Sequence, residues 1–221
     1  MTVQEFQELY RTVCGEDLTM GYLWKVPMSD KGVKQMDMAG EFAYRAGRVL
    51  ANLMREHGIF SEAMAEDILR AGMTADYQVV ADFCDLIQKQ IYERFGIGLK
   101  PQRPKLQQSR IDGLIAELAK LRENDQAPDD LFYEQIINAS ESVADNSTRY
   151  NAEFLSSAGY KATVKRYAER GACKYCLALA GNHDAYEPGI WQRHTNCHCT
   201  IDYIVDGRTE RLGGGSGRGW R

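Results

Sequence analysis

Hydrophobic positions recur every three or four residues through most of this chain and switch to strict alternation only near its C-terminal end. Over Val3 to Cys14, Phe6, Leu9 and Tyr10 share one side, and Thr2 stands where an N-cap hydroxyl belongs. A long helix is predicted from about Gln35 to His57 on Met38, Phe42, Ala46, Val49, Leu50 and Leu53, with Gly58 as its left-handed cap. Ser61 then caps a shorter helix to about Ala71, closed by Gly72. Thr74 opens the most regular helix, in which Tyr77, Val80, Cys84, Ile87, Ile91 and Phe95 form one stripe and Gly96 is the stop. A stripe this regular reads as a core seam before it reads as a partner-binding seam.

Between these helices the pattern breaks at Gly15 to Gly32, a loop in which Tyr22, Leu23 and Trp24 are expected to clip onto the helices. It breaks again at Gly96 to Gln108, where Gly96, Gly98, Pro101 and Pro104 accompany Lys100, Arg103 and Lys105. That stretch reads as an ordered arm or hinge. A helix from Leu106 or Ser109 to Leu121 carries Ile111, Leu114, Ile115 and Leu118. Another starts at Asp129 and runs into the 140s with Leu131, Phe132, Ile136, Ile137 and Val143. From there it either ends or continues, with a kink near Asn146, through Tyr150 and Phe154 to Ala158, with Gly159 as its cap. Lys161 to Tyr167 and Cys199 to Val205 then alternate as strands do, and are expected to pair antiparallel.

The fold class expected is therefore mainly α: a multi-helix N-terminal region with a small C-terminal β unit, α+β overall. Four stretches follow: helical residues 1–95, helical residues 96–158 continuing the core after the Gly/Pro hinge, a zinc-knuckle β unit over 159–206, and a basic Gly-rich tail over 207–221.

Composition narrows the functional classes. The 221 residues are 44% hydrophobic and 26% charged, which is ordinary for a globular protein, and no apolar run approaches a membrane span. A net charge of -4 argues against a dedicated nucleic-acid binder for the body of the chain. The tail is the exception, with Arg208, Arg211, Arg218 and Arg221 against Glu210 alone. Met1 is followed by polar Thr2, Gln4 and Glu5 rather than an apolar signal core, so a reducing compartment is expected.

That expectation bears on the cysteines. Four of the six fall between Cys173 and Cys199, as Cys173-Lys-Tyr-Cys176 and, after seventeen intervening residues, His194-Thr-Asn-Cys-His-Cys199. Two thiols spaced this way sit on one side of a tight turn, and the second cluster repeats that geometry as His-x-x-Cys and Cys-x-Cys. Zn²⁺ takes four such soft or borderline ligands at tetrahedral corners. Cys173 and Cys176 form one half of the set, and the spacing leaves His194, Cys197 and Cys199 as candidates for the other two corners. His198 alternates with the cysteines and points to the opposite face of an extended segment. Disulfides are the rival reading, disfavoured in a reducing compartment. A closed set of four protein ligands leaves no open position, so such a zinc is structural. Residues 160–206 hold few large apolar side chains, and a metal worth about 10–16 kcal/mol in small peptides would staple them. Cys14 and Cys84 stand apart and read as core thiols.

From Gly96 onward the chain resembles the minor head proteins of tailed bacteriophages, the Mu F-like head-morphogenesis group. The resemblance lies in Gly96-Ile-Gly-Leu-Lys-Pro101, Arg110-Ile-Asp-Gly-Leu114, Asn151-Ala-Glu-Phe154, Ala158-Gly-Tyr-Lys161, Cys173-Lys-Tyr-Cys176 with Leu179-Ala-Gly181, and Trp191-Gln-Arg-His-Thr-Asn-Cys-His-Cys199 ahead of the strand through Tyr203. The pieces occur in order over more than half the chain, while the first 95 residues add only their helicity. The resemblance implies a few-copy virion component that assembles in the host cytoplasm. Its implied partners are the portal protein, other head proteins and, through the basic tail, packaged DNA; no membrane and no small-molecule substrate enter. The Gly-rich ending departs from the charged segment with an Asn-Val element that is usual in the group.

As an enzyme the chain offers little. Asn182-His183-Asp184 invites an acid-base or nuclease reading, but a His beside an Asp in a loop is more often a turn. No phosphate-binding glycine loop, nucleophile elbow or two-His zinc helix is present. The remaining rival is a non-specific nucleic-acid-binding zinc module with Lys161, Lys165, Arg166, Arg170, Lys174 and the tail arginines on one positive face.

Overall fold

The computed structural model describes residues 1–15, 35–168, 171–192 and 199–208. Helix α1, Val3–Cys14, begins with a complete capping box: Thr2 Oγ1 accepts from Glu5 N, and the Glu5 carboxylate accepts from Thr2 N at 2.7 Å. Helix α2, Gln35–Glu56, stops before Gly58, whose φ of 58° is the left-handed cap expected of it. The clip assigned to Tyr22, Leu23 and Trp24 lies outside the described residues.

The next stretch differs from expectation. Two helices separated at Gly72 were predicted, but a single helix α3 runs from Ala65 to Arg94. Gly72 is not a cap. A Cβ there would lie 2.8 Å from Leu50 Cδ1 and 2.9 Å from Phe6 Cε1, so the missing side chain lets α1 and α2 close onto α3. Nor does Thr74 start anything, because its hydroxyl bonds back to Arg70 O at 2.8 Å within the helix. Ser61 Oγ likewise donates to Gly58 O and caps no helix. The α3 stripe is core: Val80, Cys84, Ile87 and Ile91 are buried, with Tyr77 and Phe95 packed against them.

Residues 96–107 form an ordered arm. Asn151 exchanges two 2.8 Å bonds with the Gln102 backbone and accepts a third from the Tyr92 hydroxyl. Arg103 bridges Asp82 and Asp85, and Tyr77 donates to Pro104 O. Arg103 is thereby committed to α3 carboxylates. Helix α4 (Gln108–Glu123) and helix α5 (Asp130–Ser157) follow, the latter capped by Asp129 and unbroken through Asn146 to Gly159, whose φ is 83°.

Helices α2 and α5 cross closely. A Cβ on Gly47 would fall 2.7 Å from Ser140 Oγ and 2.8 Å from Ile137 Cα. Beside the crossing, Asp76 on α3 is buried and accepts from Tyr10 of α1 at 2.7 Å and Ser140 of α5 at 2.6 Å. Burial pushes its carboxyl up to about 6, against the lowering pull of those two bonds. Cys14 and Cys84 are both core thiols, as expected, and burial raises Cys84 to about 12.

The C-terminal unit is a three-stranded antiparallel sheet in the order β2-β1-β3, with β1 at Tyr160–Tyr167, β2 at Gly181–Asp184 and β3 at Thr200–Arg208. Pairing of β1 with β3 was expected; β2 was not. It is an edge strand of four residues, read from sequence as part of a turn. The sheet does not build a core of its own. Ala162, Val164, Ile201, Tyr203 and Val205 join the cluster that also contains the helical core, against α2 and α5. The chain is thus mainly helical with a small C-terminal antiparallel sheet, an α+β arrangement.

Candidate metal centre

Between β1 and β2 the chain makes one turn of helix, α6, Lys174–Ala178. Cys173 is its N-cap, exposed, and its carbonyl accepts from Leu177 N at 3.0 Å. Cys176, three residues on, faces inward and is 1% exposed. The Cys-x-x-Cys spacing therefore sits on a tight helical turn, with Lys174 and Tyr175 turned to solvent.

Cys199, just ahead of β3, is 3% exposed and packs with Cys176 in a cluster separate from the main core, flanked by Ala168 and Ala172. Two thiols far apart in sequence are thus brought together inside a wall of small side chains. Such a cluster buries little apolar area and supplies two soft donors, and Cys173, Cys176 and Cys199 form no disulfide with one another. Two buried thiols are half of the four-donor set that Zn²⁺ takes. His194 and Cys197 lie outside the described residues, as does His198. Among the described residues no three His, Cys, Asp or Glu side chains gather into a metal-holding group.

Residues that spacing did not point to surround the knuckle. Arg166 on β1 is 1% exposed, and its Nη1 donates to the carbonyls of Ile190 and Gln192. Gln192 Oε1 in turn accepts from the Tyr175 hydroxyl at 2.8 Å. Trp191, between them, donates its indole N–H to Ala185 O at 3.3 Å. The only sequence signal for Arg166 was its place in the alternation of β1, on the same row as Tyr160, Ala162 and Val164. Lys161 and Lys165 lie on the opposite row, so the positive face that would have combined them with Arg166 does not form. Arg170 lies outside the described residues.

The Asn182-His183-Asp184 run is occupied locally. His183 Nε2 lies 2.9 Å from Leu179 O, and its Nδ1 lies 3.0 Å from the Glu187 carboxylate. Asp184 accepts from Tyr186 N, and Glu187 N donates to Asp184 O, closing a turn. Among the described residues no helix is long and apolar enough to cross a membrane. Comparison of the chain with known protein families, with characterised proteins and with solved structures returns no match.

Proposed function

We propose that this chain is a minor head protein of a tailed bacteriophage, a non-enzymatic structural component held to the portal and carrying one structural zinc. What supports the reading is the ordered series of motifs from Gly96 to Cys199, and the way those motifs depend on one another in the fold. The Gly96–Pro101 piece opens the arm that Asn151, first residue of a later piece, clasps through Gln102. The Ala158–Lys161 piece is the turn from α5 into β1, and Cys176 meets Cys199 across the last two pieces.

In this reading Cys173 and Cys176 with two of His194, Cys197 and Cys199 hold the metal. Bound zinc supplies thiolate and imidazole cross-links and no open coordination position. The protein's own part is to keep the knuckle and the strand after Cys199 face to face. Long helices offer portal-docking surfaces, and the arginines of the tail contact packaged DNA through its phosphates. Such a contact is non-specific and weakens steeply with salt. The alternative, a zinc module devoted to nucleic acid, is the weaker reading because Arg166 is withdrawn from the surface it would need.

The test is co-expression of the tagged chain with a phage portal protein, followed by capture and by analysis of assembled heads. Retention of a few copies per head and portal capture are expected. Absence from heads, or a sequence-selective and salt-insensitive DNA affinity, would overturn the reading.

A further inference from the structure

We propose that Arg166 and Tyr175 are positioning residues that hold the Cys173–Cys176 knuckle against the strand of Cys199, through the segment Ile190–Gln192. The inference rests on the metal reading above and extends it from ligands to the residues that align them.

A guanidinium 1% exposed is expensive unless its donors are satisfied, and an interior row of a small sheet is an unusual place for one. Here Nη1 offsets part of that cost by spending both hydrogens on two backbone carbonyls of a single loop, Ile190 O and Gln192 O, while Nε meets no acceptor among the described residues. Ile190 is itself fully buried, and Trp191 is bonded to Ala185 O, so the loop is held at successive residues. It cannot slide without breaking a charge-assisted bond inside the protein.

The connection then runs both ways. On one side, Arg166 is the strand partner of Ile201, two residues after Cys199. On the other side, Gln192 accepts from Tyr175, which lies between Cys173 and Cys176. A continuous path therefore leads from the knuckle through Tyr175, Gln192 and Arg166 to Ile201 and Cys199. It fixes the separation of the two cysteine pieces by bonds that do not involve the metal. Outer groups that orient ligands in this way commonly contribute about 10–100-fold in metal affinity.

Lysine retains the charge at position 166 but ends one bond short of Nη1, so Arg166→Lys loosens the loop without removing the cation. Tyr175→Phe removes the knuckle's bond from an exposed side chain and leaves the fold untouched. Zinc affinity of the full chain is measured by competition with a chromophoric chelator, and the Co²⁺ absorption spectrum reports ligand geometry. We expect Arg166→Lys to weaken zinc binding by about 10–100-fold and Tyr175→Phe by a smaller factor, with broadened Co²⁺ bands and unchanged far-UV dichroism. Wild-type affinity and spectra in both variants, with zinc bound by the parent, would overturn the positioning role alone. If Arg166→Lys does not fold, unchanged zinc affinity and Co²⁺ spectrum in Tyr175→Phe overturn it. A parent chain that binds no zinc removes the metal reading and this inference together.

Discussion

Tyr203 donates its phenolic hydrogen to Gln88 Oε1, and both side chains are sealed from solvent. Gln88 Nε2 meanwhile faces Met36 Sδ at 3.2 Å and Ser147 Oγ at 3.4 Å. One glutamine on α3 thus joins β3 to α2 and α5. Burial pushes the Tyr203 phenol well above its ordinary range, so it stays a donor throughout the working pH range.

Tyr203→Phe leaves a buried amide oxygen without its donor. A loss of about 1–3 kcal/mol is expected, read as a lower urea midpoint with an unchanged slope. Because sheet and helices share one core, tryptophan fluorescence and far-UV dichroism should move together in a single transition. Two separated transitions would show that the β unit folds on its own.

Glycines on helices divide into two kinds. At Gly47 an added methyl meets the α5 backbone, so Gly47→Ala should destabilise by about 1–3 kcal/mol through overpacking. At Gly113, inside α4 and exposed, nothing lies within 4 Å of the added carbon, so Gly113→Ala should stabilise by about 0.5–1 kcal/mol. Thermal melts of the two variants, shifting in opposite directions, check the pair.

That contrast also marks what could be read from sequence. The N-cap at Thr2, the cap at Gly58 and the long periodic run ending at Gly159 were legible because periodicity and terminus chemistry agree there, whereas the reciprocal bond from Thr2 N to Glu5 was not read from sequence. Gly72 misled because a glycine that ends a helix and one that lets two helices touch are the same letter. Strand β2 was missed because four residues on a sheet edge, Gly181 to Asp184, carry no alternation long enough to register. At the candidate centre the cysteine spacing was plain. The burial of Arg166 was not, since a lysine-rich strand reads as solvated until its partner loop is known.

Asp76 gives a pH dependence with a defined sign. Its folded-state value of about 6 lies above the ordinary 3.8, so ionisation is disfavoured in the folded protein. Its contribution to stability is full below about pH 4 and is lost as pH rises through 6, amounting to at most about 3 kcal/mol. Asp76→Asn should flatten stability between pH 4 and 6 relative to the parent. Comparing the two cancels the opposite-signed contributions of Glu5 and Asp112, which Thr2 and Arg70 hold below the usual carboxylate range.

The shared core also changes what chelation should do. A self-contained unit would unfold over residues 160–206 when its metal leaves. With Val164, Ile201 and Tyr203 buried against helices, the sheet should persist and protection should fall mainly between Ala168 and Gln192. Hydrogen exchange with and without chelator distinguishes a local from a global loss.

Native mass spectrometry of the purified chain, before and after chelator, tests the central claim most directly. One zinc per chain is expected, removed by the chelator, with Cys173 and Cys176 becoming alkylatable only then. No metal in the untreated protein, with those two thiols alkylated freely or bridged, would contradict the structural-zinc reading.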